Sequence, residues 1–297
     1  MTNRSSFGPL VSTTWLAAHL GAANLVVLDA TVIKEALGEL RFVRRPALRE
    51  FEAEGHIPGA TFADLVNQFS DPQAAFPFTR PTSQQIAYAA AAHGITRDSL
   101  VVVYDSLDGI WAARVWWVLR AFGHDQVAVL DGGLKKWRSE GRALEQGVGQ
   151  PVTRTGAPFE PQFDPDAFVD KAYVSRMLDA AGHGVLCNAL RRPVFSGAEQ
   201  AYPRPGRIPS SLSVPFDELI DPATNGLLPV EVLRERLAAP VASGARIVTY
   251  CGGGITAAGL ALALAVCGFH NVTIYDGSLN EWTVDPTLPM IVDLDVH

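Results

Sequence analysis

Two stretches of this chain repeat each other at nearly constant spacing, and that repeat narrows the possible folds more than any other feature. Leu100-Val101-Val102-Val103-Tyr104-Asp105 leads to Ala112-Ala113, then Val127-Ala128-Val129-Leu130-Asp131-Gly132 and Trp137. The later copy runs from Ile247-Val248-Thr249-Tyr250-Cys251 to Ala257-Ala258, then Val272-Thr273-Ile274-Tyr275-Asp276-Gly277 and Trp282. From the alanine pair to the tryptophan the offset is a constant 145 residues, whereas Tyr104 and Tyr250 are 146 apart. The loop after the tyrosine is therefore one residue shorter in the second copy.

Repetition on this scale means two copies of one domain. In each copy short β-branched strands alternate with amphipathic or apolar helices, which predicts an α/β domain with a mainly parallel sheet flanked by helices. A strand as apolar as residues 100–103 expects helices over both faces. The copies are expected over residues 1–145 and 166–297, joined by a linker over 146–165 that is rich in Gly, Pro and Gln.

The chemistry is concentrated in Tyr250-Cys251-Gly252-Gly253-Gly254-Ile255-Thr256-Ala257. A β-branched run precedes it and an apolar Ala/Leu stretch follows, so it reads as strand, tight glycine loop and helix start. Free backbone N–H groups converge there, and with the helix dipole they lower the cost of a thiolate or hold a charged sulfur adduct. Where the second copy has Cys251 the first has Asp105, which cannot form a persulfide. Chemistry is thus expected in the C-terminal copy, and the N-terminal copy is expected to be non-catalytic. Cys187 and Cys267 sit in apolar runs and read as structural thiols.

Composition excludes several classes. A net charge of -7 without a long basic block argues against nucleic acid. Three cysteines without close pairing argue against a disulfide framework and for a reducing compartment. The first residues lead into no sustained apolar segment, and the longest apolar run, 257–267, is too short to span a bilayer. A cytoplasmic location away from membranes is expected. The seven histidines are dispersed and no phosphate-binding glycine loop with its Lys occurs, so no metal, nucleotide or flavin is expected.

Three motifs carry a resemblance: Glu54-Gly55-His56-Ile57-Pro58-Gly59-Ala60, Asp131-Gly132-Gly133-Leu134-Lys135-Lys136-Trp137, and Cys251-Gly252-Gly253-Gly254-Ile255-Thr256-Ala257. With them the chain resembles the tandem-domain rhodanese family, which includes thiosulfate and 3-mercaptopyruvate sulfurtransferases, over nearly its whole length. The resemblance implies two rhodanese-like domains and a Cys251 that takes sulfane sulfur from a small anionic donor. The sulfur then passes to cyanide, a thiol or a protein acceptor. Residues Gly252, Gly253, Gly254, Ile255 and Thr256 would supply the stabilising loop, with Thr256 expected to cap the helix, the alternative being that its hydroxyl donates to the sulfur.

Departures from the family pattern shape the donor expectation. Thiosulfate members usually carry Arg and Lys directly after the cysteine, and mercaptopyruvate members read Cys-Gly-Ser-Gly-Val-Thr-Ala; here glycines follow, with Gly253 at the serine position. Of an Asp, His and Ser relay described for mercaptopyruvate members, Asp64 matches the Asp, but Phe78 stands at the His position. Leu190 and Val194 replace two arginines of the donor site, which makes Arg191, Arg192 and Arg207 the candidates to bind the donor in their place. A 3-mercaptopyruvate-like donor is expected over thiosulfate. Related cysteine phosphatases need an arginine six residues after the cysteine, where this chain has Ala257. The competing expectation is a weakly catalytic persulfide relay or sulfur-binding protein that serves a protein partner.

Overall fold

The computed structural model describes residues 7–36, 42–149, 156–179 and 184–293. The chain divides into two units, one of residues 1–164 with Pro222–Leu227 and one of Pro165–Asp221 with 228–297.

In the first unit the strands are β1 (Leu10–Val11), β2 (Leu25–Asp29), β3 (Val32–Ala36), β4 (Phe42–Pro46), β5 (Ala60–Phe62), β6 (Leu100–Tyr104) and β7 (Val127–Leu130). Five of them form a parallel sheet in the order β1-β7-β6-β2-β5, while β3 and β4 pair antiparallel on their own. In the second unit β8 (Phe168–Val169), β9 (Val185–Asn188), β10 (Leu212–Ser213), β11 (Ile247–Tyr250) and β12 (Val272–Tyr275) form a parallel sheet in the order β10-β9-β11-β12-β8. Read from the other edge this is the first sheet's order. The repeat in sequence is therefore a repeat in topology.

In both sheets the repeated strand, β6 or β11, is central. Val101, Val102, Val103 and Tyr104 are fully buried, as are Val248, Thr249 and Tyr250, which is what a strand covered on both faces requires. Each then enters a loop and a twelve-residue helix, Ile110–Ala121 or Ile255–Val266. The tyrosine closing each strand serves the same purpose in both units. Tyr104 Oη accepts the N–H of Ile57 at 3.2 Å, and Tyr250 Oη accepts that of Ile208 at 3.2 Å.

The stretch 146–165, read from sequence as a linker, packs in part on the first unit. The N–H of Arg97 reaches the carbonyl of Ala157 at 3.0 Å, and the N–H groups of Gln162 and Asp164 reach Phe122 and Ala121 at 2.8 and 2.7 Å. Backbone groups withdrawn from water need such partners, so this stretch is ordered by pairing. Residues 150–155 of that stretch lie outside the described residues. Sequence also gave no sign that Pro222–Leu227 count with the first unit. There the N–H of Leu227 donates to Asp131 Oδ1 at 3.0 Å, and Lys135 Nζ donates to the carbonyl of Pro222 at 2.8 Å.

One buried acid in the first unit has a testable consequence. Asp29, at the end of β2, accepts the N–H and the Oγ1 hydroxyl of Thr31 at 2.9 and 2.5 Å, and burial pushes its carboxyl up to about 6. The repeat has Asn188 at this place, accepting the N–H of Leu190 at 2.8 Å. Between about pH 4 and pH 6 the native state keeps a proton that the unfolded chain has lost, so this group's contribution falls as pH rises through that window. Asp29→Asn is expected to abolish that decline and to stabilise the first unit at neutral pH by up to about 3 kcal/mol. Urea unfolding of both proteins across the window checks it; parallel pH profiles would refute it.

Candidate active site

The loop of residues 251–254 carries the sequence-predicted nucleophile from the end of β11 to the helix Ile255–Val266. Cys251 is buried, with 2 % of its surface exposed. Its N–H donates to Ser278 Oγ at 3.1 Å, and that hydroxyl donates to the carbonyl of Tyr275 at 2.7 Å. The carbonyls of Cys251 and Gly252 accept from Leu279 and Asn280 at 3.0 and 2.8 Å. Carbonyl groups at the start of the loop are thus held outward by the short helix Ser278–Trp282. Ser278 adopts φ 48°, a left-handed conformation that costs a non-glycine residue energy and is held here by its hydroxyl bonds. Nothing in the sequence pointed to it.

Gly254 caps the helix at φ 78° and ψ 3°, where a Cβ is disfavoured. It supplies no side-chain cap, and neither does Thr256. The capping expectation for Thr256 is therefore corrected, because that residue is already inside the helix. Its Oγ1 is buried with no hydrogen-bond partner among the described residues. Nor does any acceptor meet the amides of residues 252–257 among the described residues.

The first unit shows what this loop geometry holds. Gly109 caps the equivalent helix at φ 83° and ψ -1°, within a few degrees of Gly254. There Asp105 Oδ1 accepts the N–H groups of Leu107 and Gly109 at 2.9 and 3.0 Å, and Oδ2 accepts those of Trp111 and Ala112 at 3.1 and 3.0 Å. Four amides converge on one carboxylate. The corresponding loop of the second unit, one residue shorter, has a thiol at the strand end and no carboxylate. In the first copy the chain itself fills the cradle; in the second no carboxylate meets the loop amides among the described residues.

The other two thiols lie elsewhere. Cys187 is fully buried on β9, and burial pushes its thiol up to about 12. Cys267 ends the helix Ile255–Val266 and is also raised by burial.

The three arginines expected to replace the donor site are engaged by carboxylates of their own unit. Arg191 holds both oxygens of Glu199 at 2.6 and 2.8 Å, and Arg192 holds both of Glu218 at 2.6 and 2.7 Å. Arg207 donates to Asp293 Oδ1 at 2.6 Å and lies 4.5 Å from the Phe195 ring centroid. Neighbouring acids, invisible as partners at sequence level, capture each guanidinium. Asp64 is likewise in use within the first unit. Its Oδ1 accepts the N–H groups of Val66 and Asn67, and its Oδ2 accepts the Asn67 side-chain amide at 2.7 Å, which is the work of a turn-forming aspartate.

One residue that sequence reading passed over, Tyr202, stands beside the loop. A Cβ built on Gly252 would clash with the Tyr202 hydroxyl and lie 2.8 Å from its Cζ. The segment bearing Tyr202 is anchored by Arg204. Its guanidinium donates to the carbonyls of Trp282, Thr283, Asp285 and Leu288 at 3.0, 3.0, 2.7 and 2.6 Å.

Two copies of a parallel α/β domain, one with a carboxylate and one with a thiol at the mouth of the same amide loop, define a protein of tandem rhodanese fold. The chain belongs to the rhodanese family, matching the rhodanese-like domain over residues 12–140 and 196–285. It is 36% identical over 285 residues to 3-mercaptopyruvate sulfurtransferase of Homo sapiens, covering 92% of this chain and 91% of that protein. It is 34% identical over 308 residues to thiosulfate/3-mercaptopyruvate sulfurtransferase 2 of Arabidopsis thaliana, covering 95% and 86%. The Escherichia coli structure SseA, described as a 3-mercaptopyruvate sulfotransferase, superposes with a TM-score of 0.78 at 30% identity, covering 91% of this chain and 98% of that one.

Proposed function

We propose that this chain is a sulfurtransferase that moves a sulfane sulfur from a small donor to a thiophilic acceptor through a persulfide on Cys251. The observation that carries the proposal is the contrast between the two loops, one closed by the Asp105 carboxylate and the other ending on a thiol. The names of its relatives, 3-mercaptopyruvate and thiosulfate sulfurtransferases, point the same way.

The Cys251 thiolate attacks the sulfur of the donor. With 3-mercaptopyruvate an S–S bond forms, the C–S bond breaks, and its electron pair leaves with carbon as the enolate of pyruvate, which takes a proton. The amides of residues 252–257 then face the negative sulfur of the persulfide, and the unpartnered Thr256 hydroxyl is available to it. In the second half, cyanide or a thiol attacks the outer sulfur. The S–S pair returns to Cys251, which is regenerated.

No cationic side chain follows Cys251, and Arg191, Arg192 and Arg207 are paired with acids. A dianion such as thiosulfate therefore meets backbone dipoles and the neutral Thr256 hydroxyl without a cation in the loop, and 3-mercaptopyruvate is the favoured donor. Steady-state rates with the two donors at matched concentrations, with cyanide as acceptor, are expected to favour 3-mercaptopyruvate. A clear preference for thiosulfate would overturn this choice of donor.

The engaged arginines also favour a second reading, a persulfide relay that accepts sulfur from a protein partner. It predicts no turnover with either small donor while Cys251 is still loaded by a protein-bound persulfide. Three free cysteines suit a reducing compartment, and we place the protein in the cytoplasm. Among the described residues no helix is long and apolar enough to cross a membrane.

A further inference from the structure

Ser278 bonds to the backbone of Cys251, yet the proposed mechanism gives it no part. It is fully buried and holds φ 48°, a left-handed conformation in which a Cβ is disfavoured. The first copy meets the same backbone demand with glycine: Gly133, 145 residues earlier, holds φ 52°. A Cβ on Gly133 would clash with the Asp105 carbonyl oxygen, which accepts the N–H of Leu134 at 3.0 Å. The turn therefore runs on glycine in the copy without a thiol. In the copy with the thiol a serine bears the strain, and its hydroxyl accepts the N–H of Cys251 itself at 3.1 Å. Strain kept beside a nucleophile points to a use for that hydroxyl.

The hydroxyl completes a set of bonds that fixes three successive peptide groups. Between Tyr250 and Cys251, the carbonyl accepts the N–H of Ala189 at 2.9 Å and the N–H donates to Ser278 Oγ. The next two carbonyls, of Cys251 and Gly252, accept from Leu279 and Asn280 at 3.0 and 2.8 Å. In a trans peptide the N–H points opposite to the C=O, so the N–H groups of Gly252 and Gly253 are turned away from the helix Ser278–Trp282. From this geometry we infer that Ser278 is a positioning residue of the sulfur site. By holding the Cys251 N–H it fixes the direction in which the loop presents its amides to an anion on the Cys251 sulfur. This role takes Cys251 as the sulfur carrier of the reading given above.

Ser278→Gly removes the hydroxyl and suits the left-handed backbone, as Gly133 does. Its melting temperature is expected within about 4 °C of wild type, a small change for a unit of this size. Alkylation of Cys251 by iodoacetate and by iodoacetamide, read by digestion, compares an anionic with a neutral reagent at one thiol. The ratio of the two rates does not depend on how much of the thiol is ionised. In Ser278→Gly the rate with iodoacetate relative to iodoacetamide is expected to fall about threefold to tenfold, the worth of one hydrogen bond to the anion. The kcat with 3-mercaptopyruvate and cyanide should fall about tenfold or more. Ser278→Ala carries the same expectations if the glycine variant does not fold. An unchanged ratio in a folded variant, or failure of both variants to fold, would overturn the role. A lowered ratio in the variant, with a wild type that loads no sulfur from either donor by intact mass, would sink the sulfurtransferase reading and leave the positioning role standing.

Discussion

Cys251→Ser is expected to abolish sulfur transfer, lowering kcat/KM by at least about a thousandfold, as loss of a covalent nucleophile does. The serine oxygen is close in size, so the fold should be unchanged, but it forms no persulfide. Intact mass after incubation with 3-mercaptopyruvate should show one added sulfur on the wild type, removable by cyanide, and none on the variant. Digestion should place that sulfur on Cys251. Cys187 is a poor substitute, because its thiol, pushed up to about 12 by burial, stays protonated at neutral pH. Turnover retained in Cys251→Ser, or sulfur found only on Cys187 or Cys267, would end the proposal.

Asp105→Ala should give the largest loss of stability, and it acts in the copy that has no thiol. The substitution removes a fully buried carboxylate and strips four amides of their acceptor, those of Trp111 and Ala112 in a buried position. Each unsatisfied buried donor costs about 1–3 kcal/mol, and such costs are not additive. A loss of about 4 kcal/mol or more for the first unit is the expected result. For a unit of this size that lowers the melting temperature by roughly 8–16 °C. Asp105→Asn keeps one acceptor oxygen and should fall between wild type and Asp105→Ala. Burial raises the Asp105 carboxyl even against four N–H donors, and desolvation is the dominant cause. Thermal unfolding of the three proteins checks the order. An Asp105→Ala protein within about 1 kcal/mol of wild type would show that the amides find water instead, and that the loop is not a closed cradle.

Much of this was legible in the chain because it depends on neighbours in sequence. The alternation of apolar strand, glycine loop and apolar helix is local, and its recurrence after 145 residues required two sheets of one topology. The thiol of Cys251 and the carboxylate of Asp105 at matching places in the repeat separated the two copies without any coordinates. The same local logic failed at Thr256, where one residue decides between cap and first turn and the φ of Gly254 settles it.

What only the tertiary structure decided is which side chains meet. Spacing made Arg191, Arg192 and Arg207 candidates for the donor, but a guanidinium pairs with whichever carboxylate the fold brings near, and Glu199, Glu218 and Asp293 are near. Gly252 read only as a residue with conformational freedom until Tyr202, distant in sequence, was found filling its side-chain volume. The stretch 146–165 read as connection and Pro222–Leu227 as part of the second copy, yet Ala157, Gln162, Asp164 and Leu227 pair through backbone groups within the first unit. Local pattern governs what a segment becomes, because backbone hydrogen bonding and hydrophobic periodicity act over a few residues. The choice of side-chain partners is made by long-range packing, which one-dimensional spacing does not encode.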